Sequence, residues 1–290
     1  MPSPSPLRAA VTAATLASAL VWAGPLSASA VTSEWSGKTL PASAIAAVST
    51  DGYLAPTTTI TPAHGCIVLG GPGVKGVKVR LLQLRLGMGS RPEVMDAATI
   101  AAVQAFQVDN DLPRTDGVVD AATWSALGIS EDFCFDRWQA APALPIGAGS
   151  SERIQTMLDF AYGYIGAEYV LGGAGQPKYG VDCSGLVLQA LYRAGLDPQP
   201  ISIDKHVQPH YRTGYNLYHY PYLKHVPRSQ MQRGDLIFYT SATTGAVNHV
   251  ALYLGGNNML EAKHRDVHVT VVADHYTNQT IAPDVVRPFP

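Results

Sequence analysis

The sequence predicts an α+β domain in the C-terminal half of the chain, preceded by a small all-α domain. Three observations predict this. From residue 150 onward two helical patterns come first and several short apolar runs follow, an order that suits helices laid on an antiparallel sheet. Residues 74 to 128 carry three short helical stretches with their own start and stop signals. A stretch with Pro142, Pro145, Gly147 and Gly149 separates the two regions.

In chain order, residues 1–30 read as a targeting segment. Arg8 is a thin basic start, residues 9–26 are mostly apolar and small, and Ala28-Ser29-Ala30 is an A-x-A cleavage signal. Gly24-Pro25 interrupts the apolar stretch, which makes it a poor permanent membrane span, and no Cys follows it to take a lipid. Export, cleavage after Ala30 and no membrane anchor are expected. Residues 31–62, rich in Ala, Ser, Thr and Pro, are a linker or a loosely ordered arm.

Residues 63–134 are the helical domain. Val77, Val79, Leu81, Leu82, Leu84 and Leu86 supply an apolar first helix, with Lys78, Arg80, Gln83 and Arg85 between them. Asp96 is placed to cap Ala97 to Val108, where Ile100, Val103 and Phe106 share a face. Asp120 caps a last short helix carrying Trp124 and Leu127, which Gly128 stops. Residues 135–149 are an interdomain linker.

Residues 150–290 form the second domain. Ser150 or Ser151 is expected to cap a helix through Met157, Leu158, Phe160 and Ala161, and a second helix runs from Cys183 to a stop at Gly195. Strands are expected at Asp235 to Thr240, His249 to Leu254, Met259 to Lys263, Val267 to Val272 and Val285 to Phe289.

With 20 basic and 22 acidic residues, a net charge of -2 and no basic run, the chain lacks the footprint of a nucleic-acid or acidic-lipid binder. Three cysteines, Cys66, Cys134 and Cys183, leave an odd thiol in an oxidising compartment. Cys66 and Cys134 flank the helical domain, so a Cys66–Cys134 disulfide with Cys183 free is expected.

Cys183 stands in Asp182-Cys183-Ser184-Gly185, at a helix start, after the glycine-rich turn Tyr169-Val170-Leu171-Gly172-Gly173-Ala174-Gly175. A helix N-terminus presents unpaired N–H groups and the positive end of the dipole, both of which favour a nucleophilic thiolate. An isolated Cys is more often a small buried hydrophobe, but here the context argues for chemistry. A Cys nucleophile needs a His base and a group to orient it. His249, at the start of a strand, is the best placed of the nine histidines. His206 and His210 have i,i+4 spacing, but Pro209 between them argues against a helical metal pair, and neither a metal nor a cofactor is expected. Glu261 follows His249 across the tight turn Gly255-Gly256-Asn257-Asn258, so hairpin pairing brings it beside His249. His264 is the fallback if the register slips.

Two resemblances follow. Val79 to Leu86, "TIAAVQAFQ" at 99–107, Asp116-Gly117-Val118 and Thr123 to Leu127 are similar to the three-helix peptidoglycan-binding domain of cell-wall hydrolases. "EYVLGGAGQPKYGVDCSGLVLQALYRAG", "MQRGDLIFYT" and "NHVALYLGGNNMLEA" resemble the NlpC/P60 family of cell-wall cysteine peptidases, over residues 154 to 290. That resemblance implies a papain-like α+β fold with Cys183 as nucleophile, His249 as base and Glu261 as third member, where the family often has His. It implies that Tyr169 stabilises the oxyanion beside the Cys183 N–H, and that Asp182 and Ser184 line the site for the peptide stem. It implies cleavage of the bond between γ-D-glutamate and a diamino acid by a secreted, cell-wall-associated monomer whose partners are the stem peptide and glycan of peptidoglycan. The segment from Ile201 to Ser229, rich in tyrosine, departs from the family and reads equally as a cleft wall or as a surface loop. A non-catalytic wall-binding protein, a thiol amidase or acyltransferase, and an antibacterial toxin are the competing functions.

Overall fold

The computed structural model describes residues 53, 68–89, 92–197, 212–273 and 275–290. The leader, Cys66 and the arm apart from Tyr53 lie outside the described residues, as do His206 and His210.

The helical part is built from α1 (Val77–Arg85), α2 (Ala97–Asp109) and α3 (Ala121–Ala126). Asp96 and Asp120 cap α2 and α3 as their positions predict, their carboxylates accepting from Thr99 N at 2.7 Å and Thr123 N at 2.9 Å. Leu69, Val79, Leu82, Met95, Val103, Val119, Trp124 and Leu127 form its core. Leu84 is exposed, whereas Lys78 is fully buried. The ammonium of Lys78 lies 3.3 Å from Asp136 and 3.7 Å from the centre of the Phe133 ring. Burial lowers its pKa, and Asp136 opposes that shift. A lysine inside this core is tolerable because its charge is paired there.

Residues 138–149 are tied to the second domain, whereas Phe135 and Asp136 pack with the helical part. Arg153, on α4 (Ser150–Tyr162), is fully buried, and its guanidinium donates to the carbonyls of Pro145, Ile146, Ala148 and Ala194. Neither Ser150 nor Ser151 caps α4. Gly149 is its N-cap, the Glu152 carboxylate accepts from Gly149 N at 3.0 Å, and Ser150 Oγ donates to the Pro290 carbonyl.

The second domain sets α4, α5 (Cys183–Arg193) and α6 (Gly214–Tyr218) with an antiparallel sheet. Its strands are β1 (Lys224–Pro227), β2 (Leu236–Ser241), β3 (Val247–Gly255), β4 (Asn258–Lys263), β5 (Asp266–Val271), β6 (His275–Tyr276), β7 (Gln279–Ile281) and β8 (Asp284–Arg287), in the order β1-β8-β2-β3-β4-β5, with β7 pairing β2 and β6. The α+β order read from the sequence therefore holds. Leu236, Phe238, Val250, Leu252, Leu260 and Ala262 face the helices, whereas Ile237, Tyr239, Ala251, Met259 and Val285 form a core on the opposite face. The short elements α6, β1, β6 and β7 lack a clear apolar period and are additions to the sequence reading. Among the described residues no helix is long and apolar enough to cross a membrane.

The two parts touch at the glycine-rich turn. Arg80 pairs with Glu168 at 2.8 Å, and the rings of Phe135 and Tyr179 lie 4.8 Å apart. Gly172 has φ +78°, and a Cβ there would sit 2.9 Å from the Gly76 nitrogen, so only glycine allows this approach.

Candidate active site

The site begins with the N-terminus of α5. Asp182 is its N-cap, with Oδ1 accepting from Gly185 N at 2.8 Å. Cys183, the first helical residue, is free and buried, with 8% of its surface exposed. Gly185 lets the helix press on the preceding turn, since a Cβ there would fall 2.1 Å from the Gly173 carbonyl oxygen. Gln189, a polar residue in an otherwise apolar helix, is fully buried and bonds Ala140 N at 2.7 Å and the Ala174 carbonyl at 2.5 Å. It fixes the far end of the same turn.

The opposite wall is the β3–β4 hairpin. With Leu252 across from Leu260, Glu261 falls on the diagonal from His249. His249 Nε2 and Glu261 Oε2 are 2.5 Å apart, with His249 4% and Glu261 2% exposed. Cys183 is near enough to His249 to act on its titration. Burial alone would pull the imidazole pKa down, but Cys183 and Glu261 outweigh it and push it up to about 9. His264, the fallback, sits exposed in the β4–β5 turn with φ +60°. Sequence reasoning missed His268, which pairs with Glu261 in register across β4 and β5. Its Nε2 lies 3.5 Å from Glu261 Oε1, and its Nδ1 lies 3.0 Å from Asp266.

Tyr169 is half-buried at the edge of the turn, its N–H donating to the Arg265 carbonyl at 2.8 Å. Burial and the negative charges of Cys183 and Asp182 raise its hydroxyl pKa against the pull of Arg212, so it stays a neutral donor.

Asp182 and Ser184 are both buried and engaged inside the protein. Arg212 grips Asp182 with both terminal nitrogens, Nη1 at 2.8 Å from Oδ1, while Gly172 N donates to Oδ2 at 2.9 Å. Ser184 Oγ donates to the Arg212 carbonyl at 2.9 Å and accepts from Nη1 at 3.3 Å. Burial would lower the Arg212 pKa, but Asp182 raises it further, so the guanidinium stays charged. Arg212 is the second residue that sequence reasoning missed. Its local sign is Arg212-Thr213 before Asn216, a capping-box pattern that starts α6. Among the described residues no group of three or more His, Cys, Asp or Glu is arranged to hold a metal ion.

This arrangement suits acyl transfer, with a sulfur nucleophile at a helix N-terminus, an imidazole held by a carboxylate and a neutral hydroxyl nearby. Residues 166–285 match the model of the NlpC/P60 family, and residues 70–127 match that of the "Putative peptidoglycan binding domain". The chain is similar to the peptidoglycan endopeptidase RipA of Mycolicibacterium smegmatis, with 33% identity over 204 residues, 63% of this chain and 37% of RipA. It is similar to the murein DD-endopeptidase MepH of Escherichia coli, with 31% identity over 114 residues, 39% of this chain and 38% of MepH. A solved structure of the peptidoglycan hydrolase RipB from Mycobacterium tuberculosis aligns at 26% identity with a TM-score of 0.37, covering 68% of this chain and 87% of that one. The chain thus spans less than half the length of RipA and MepH.

Proposed function

We propose that this chain, an NlpC/P60 protein with a peptidoglycan-binding domain ahead of its catalytic domain, is a secreted cysteine endopeptidase that cuts the stem peptide of peptidoglycan. The observation that carries the reading is His249, held at 2.5 Å by Glu261 and near enough to Cys183, at the start of α5, for the two to influence each other electrostatically. The names of RipA and MepH support the same substrate class.

Cys183 Sγ attacks the amide carbonyl carbon and a tetrahedral oxyanion forms. The Tyr169 hydroxyl and the Cys183 N–H meet its charge, and loss of one such donor costs about 100- to 1,000-fold in rate. His249, protonated at neutral pH, gives its proton to the amine nitrogen as the C–N bond breaks, leaving a thioester on Cys183. His249 then takes a proton from water, the hydroxide adds to the thioester, and collapse releases a carboxylic acid and the Cys183 thiolate beside a reprotonated His249. Glu261 holds the imidazole orientation and stabilises the imidazolium. Asp182 and Ser184, clamped by Arg212, shape the stem site beside the nucleophile. The bond cut is that between γ-D-glutamate and the diamino acid. A Cys66–Cys134 disulfide closes the helical domain, so the denatured, unreduced secreted chain titrates with one thiol; two or more overturn that pairing.

Mass spectrometry of purified muropeptides tests the reading, with the chain lacking residues 1–30 compared with its Cys183→Ala variant. New fragments ending in γ-D-glutamate that the variant does not make support it. Release of the whole stem from the sugar identifies an amidase instead, and no cleavage leaves a wall-binding protein.

A further inference from the structure

The tyrosine-rich run after Arg212 takes no part in the chemistry above. From Thr213 to Leu223 it holds four tyrosines and His219, with no Asp, Glu, Lys or Arg. Its first turn, α6, is firmly placed. Thr213 N donates to Asn216 Oδ1 at 2.9 Å, Asn216 N donates to Thr213 Oγ1 at 3.3 Å, and Leu217 is fully buried in the core. The inner side of α6 lies on the site itself, since a Cβ on Gly214 would be 3.6 Å from the His249 carbonyl carbon. The outer side carries two rings one turn apart. Tyr215 is 47% exposed, His219 is exposed, and their centroids are 4.2 Å apart. Tyr215 directly follows Gly214, so the ring pair begins one residue from the contact with His249.

Two exposed rings held together on a rigid turn offer a ligand a flat, amphipathic face. Their ligand has to suit apolar faces rimmed by a phenol hydroxyl and ring nitrogens, with no formal charge across eleven residues. An N-acetylated pyranose does so, with C–H bonds on its faces and hydroxyl and amide groups around its edge. A sugar is also what the cleft would have within reach. In peptidoglycan the stem hangs from the glycan by its first residue, and each extended residue spans only about 3.5 Å. We propose that Tyr215 and His219 form a stacking site for the glycan strand, so that a sugar-bearing stem is taken in preference to a free peptide. The link between sugar and stem rests on the endopeptidase reading; the stacking itself does not.

The test is cleavage by the full chain lacking residues 1–30 of two substrates, a disaccharide-bearing stem peptide and the same stem freed of sugar, by wild type, Tyr215→Ala and Tyr215→Phe. The expected result is a fall in kcat/KM of about tenfold for Tyr215→Ala on the sugar-bearing substrate alone, with Tyr215→Phe near wild type. An equal fall on both substrates, or none, overturns the proposal. A parallel titration of stem-free glycan strands, read by the NMR signal of the His219 ring, separates the two readings. If wild type cuts neither substrate, the endopeptidase reading fails; a glycan-dependent His219 shift that Tyr215→Ala removes still supports the sugar site, and no shift sinks it.

Discussion

Two buried carboxylates flank Cys183, and the protein uses them in opposite ways. Asp182, on the helix side, is held by the Arg212 guanidinium and by two backbone N–H groups, none of which gives up a proton near neutral pH. Glu261, on the sheet side, meets His249 at 2.5 Å and His268 at 3.5 Å, partners whose charge depends on pH. The same chemical group is thereby a fixed anchor in one wall and part of a proton-handling unit in the other. The partner decides which, because burial alone penalises both anions equally.

That contrast sets the expected effects. The largest is on turnover. Glu261→Gln keeps the shape and removes the charge, and kcat/KM should fall about 1,000-fold in steady-state assays. A fall below tenfold would put the orienting role elsewhere. Next comes stability. Arg212→Met strands Asp182 in the interior, and urea denaturation should show a loss of about 3–5 kcal/mol. If the loss is below about 1 kcal/mol, Asp182 is not anchored by this pair.

Protonation gives the third effect. The His249 pKa, raised from 6.5 to about 9, gives stability that is full below pH 6.5 and is lost as pH rises through about 9. The alkaline limb of kcat/KM should fall in the same place, where His249 loses the proton it delivers. In Glu261→Gln both should move to lower pH, because burial then acts with less opposition; an unmoved limb would mean that another group titrates. The smallest effect belongs to His268→Gln. His268 is about one-third exposed, so screening limits the change in kcat/KM to at most about fivefold. A larger drop would make it a full member of the proton-handling unit.

Local signals carried much of this. Asp182 before an apolar helical run ending at Gly195 is enough to place α5 and its first residue, because capping and periodicity act within a few residues. The Gly255 to Asn258 turn between two apolar runs is enough to pair β3 with β4 and bring Glu261 near His249. The same local reasoning misjudged Ser150 and was silent on the burial of Lys78. In Lys78 the deciding partner, Asp136, lies far along the chain, and in Ser150 the hydroxyl turns to Pro290 rather than capping its own helix. It also missed α6 and β1, which are held by contacts with β3 and β8 rather than by a strong pattern of their own.

The sequence by itself determined that helices precede the sheet, the helix start that presents Cys183 and the hairpin that carries His249 and Glu261, since each depends on neighbours a few positions away. Only the tertiary structure decided that Arg212 locks Asp182 from thirty residues on, that Arg153 binds residues 145–148 to the second domain, and that His268 faces the second oxygen of Glu261. Those are encounters between side chains distant in sequence, and their distances follow from packing, which no local rule records.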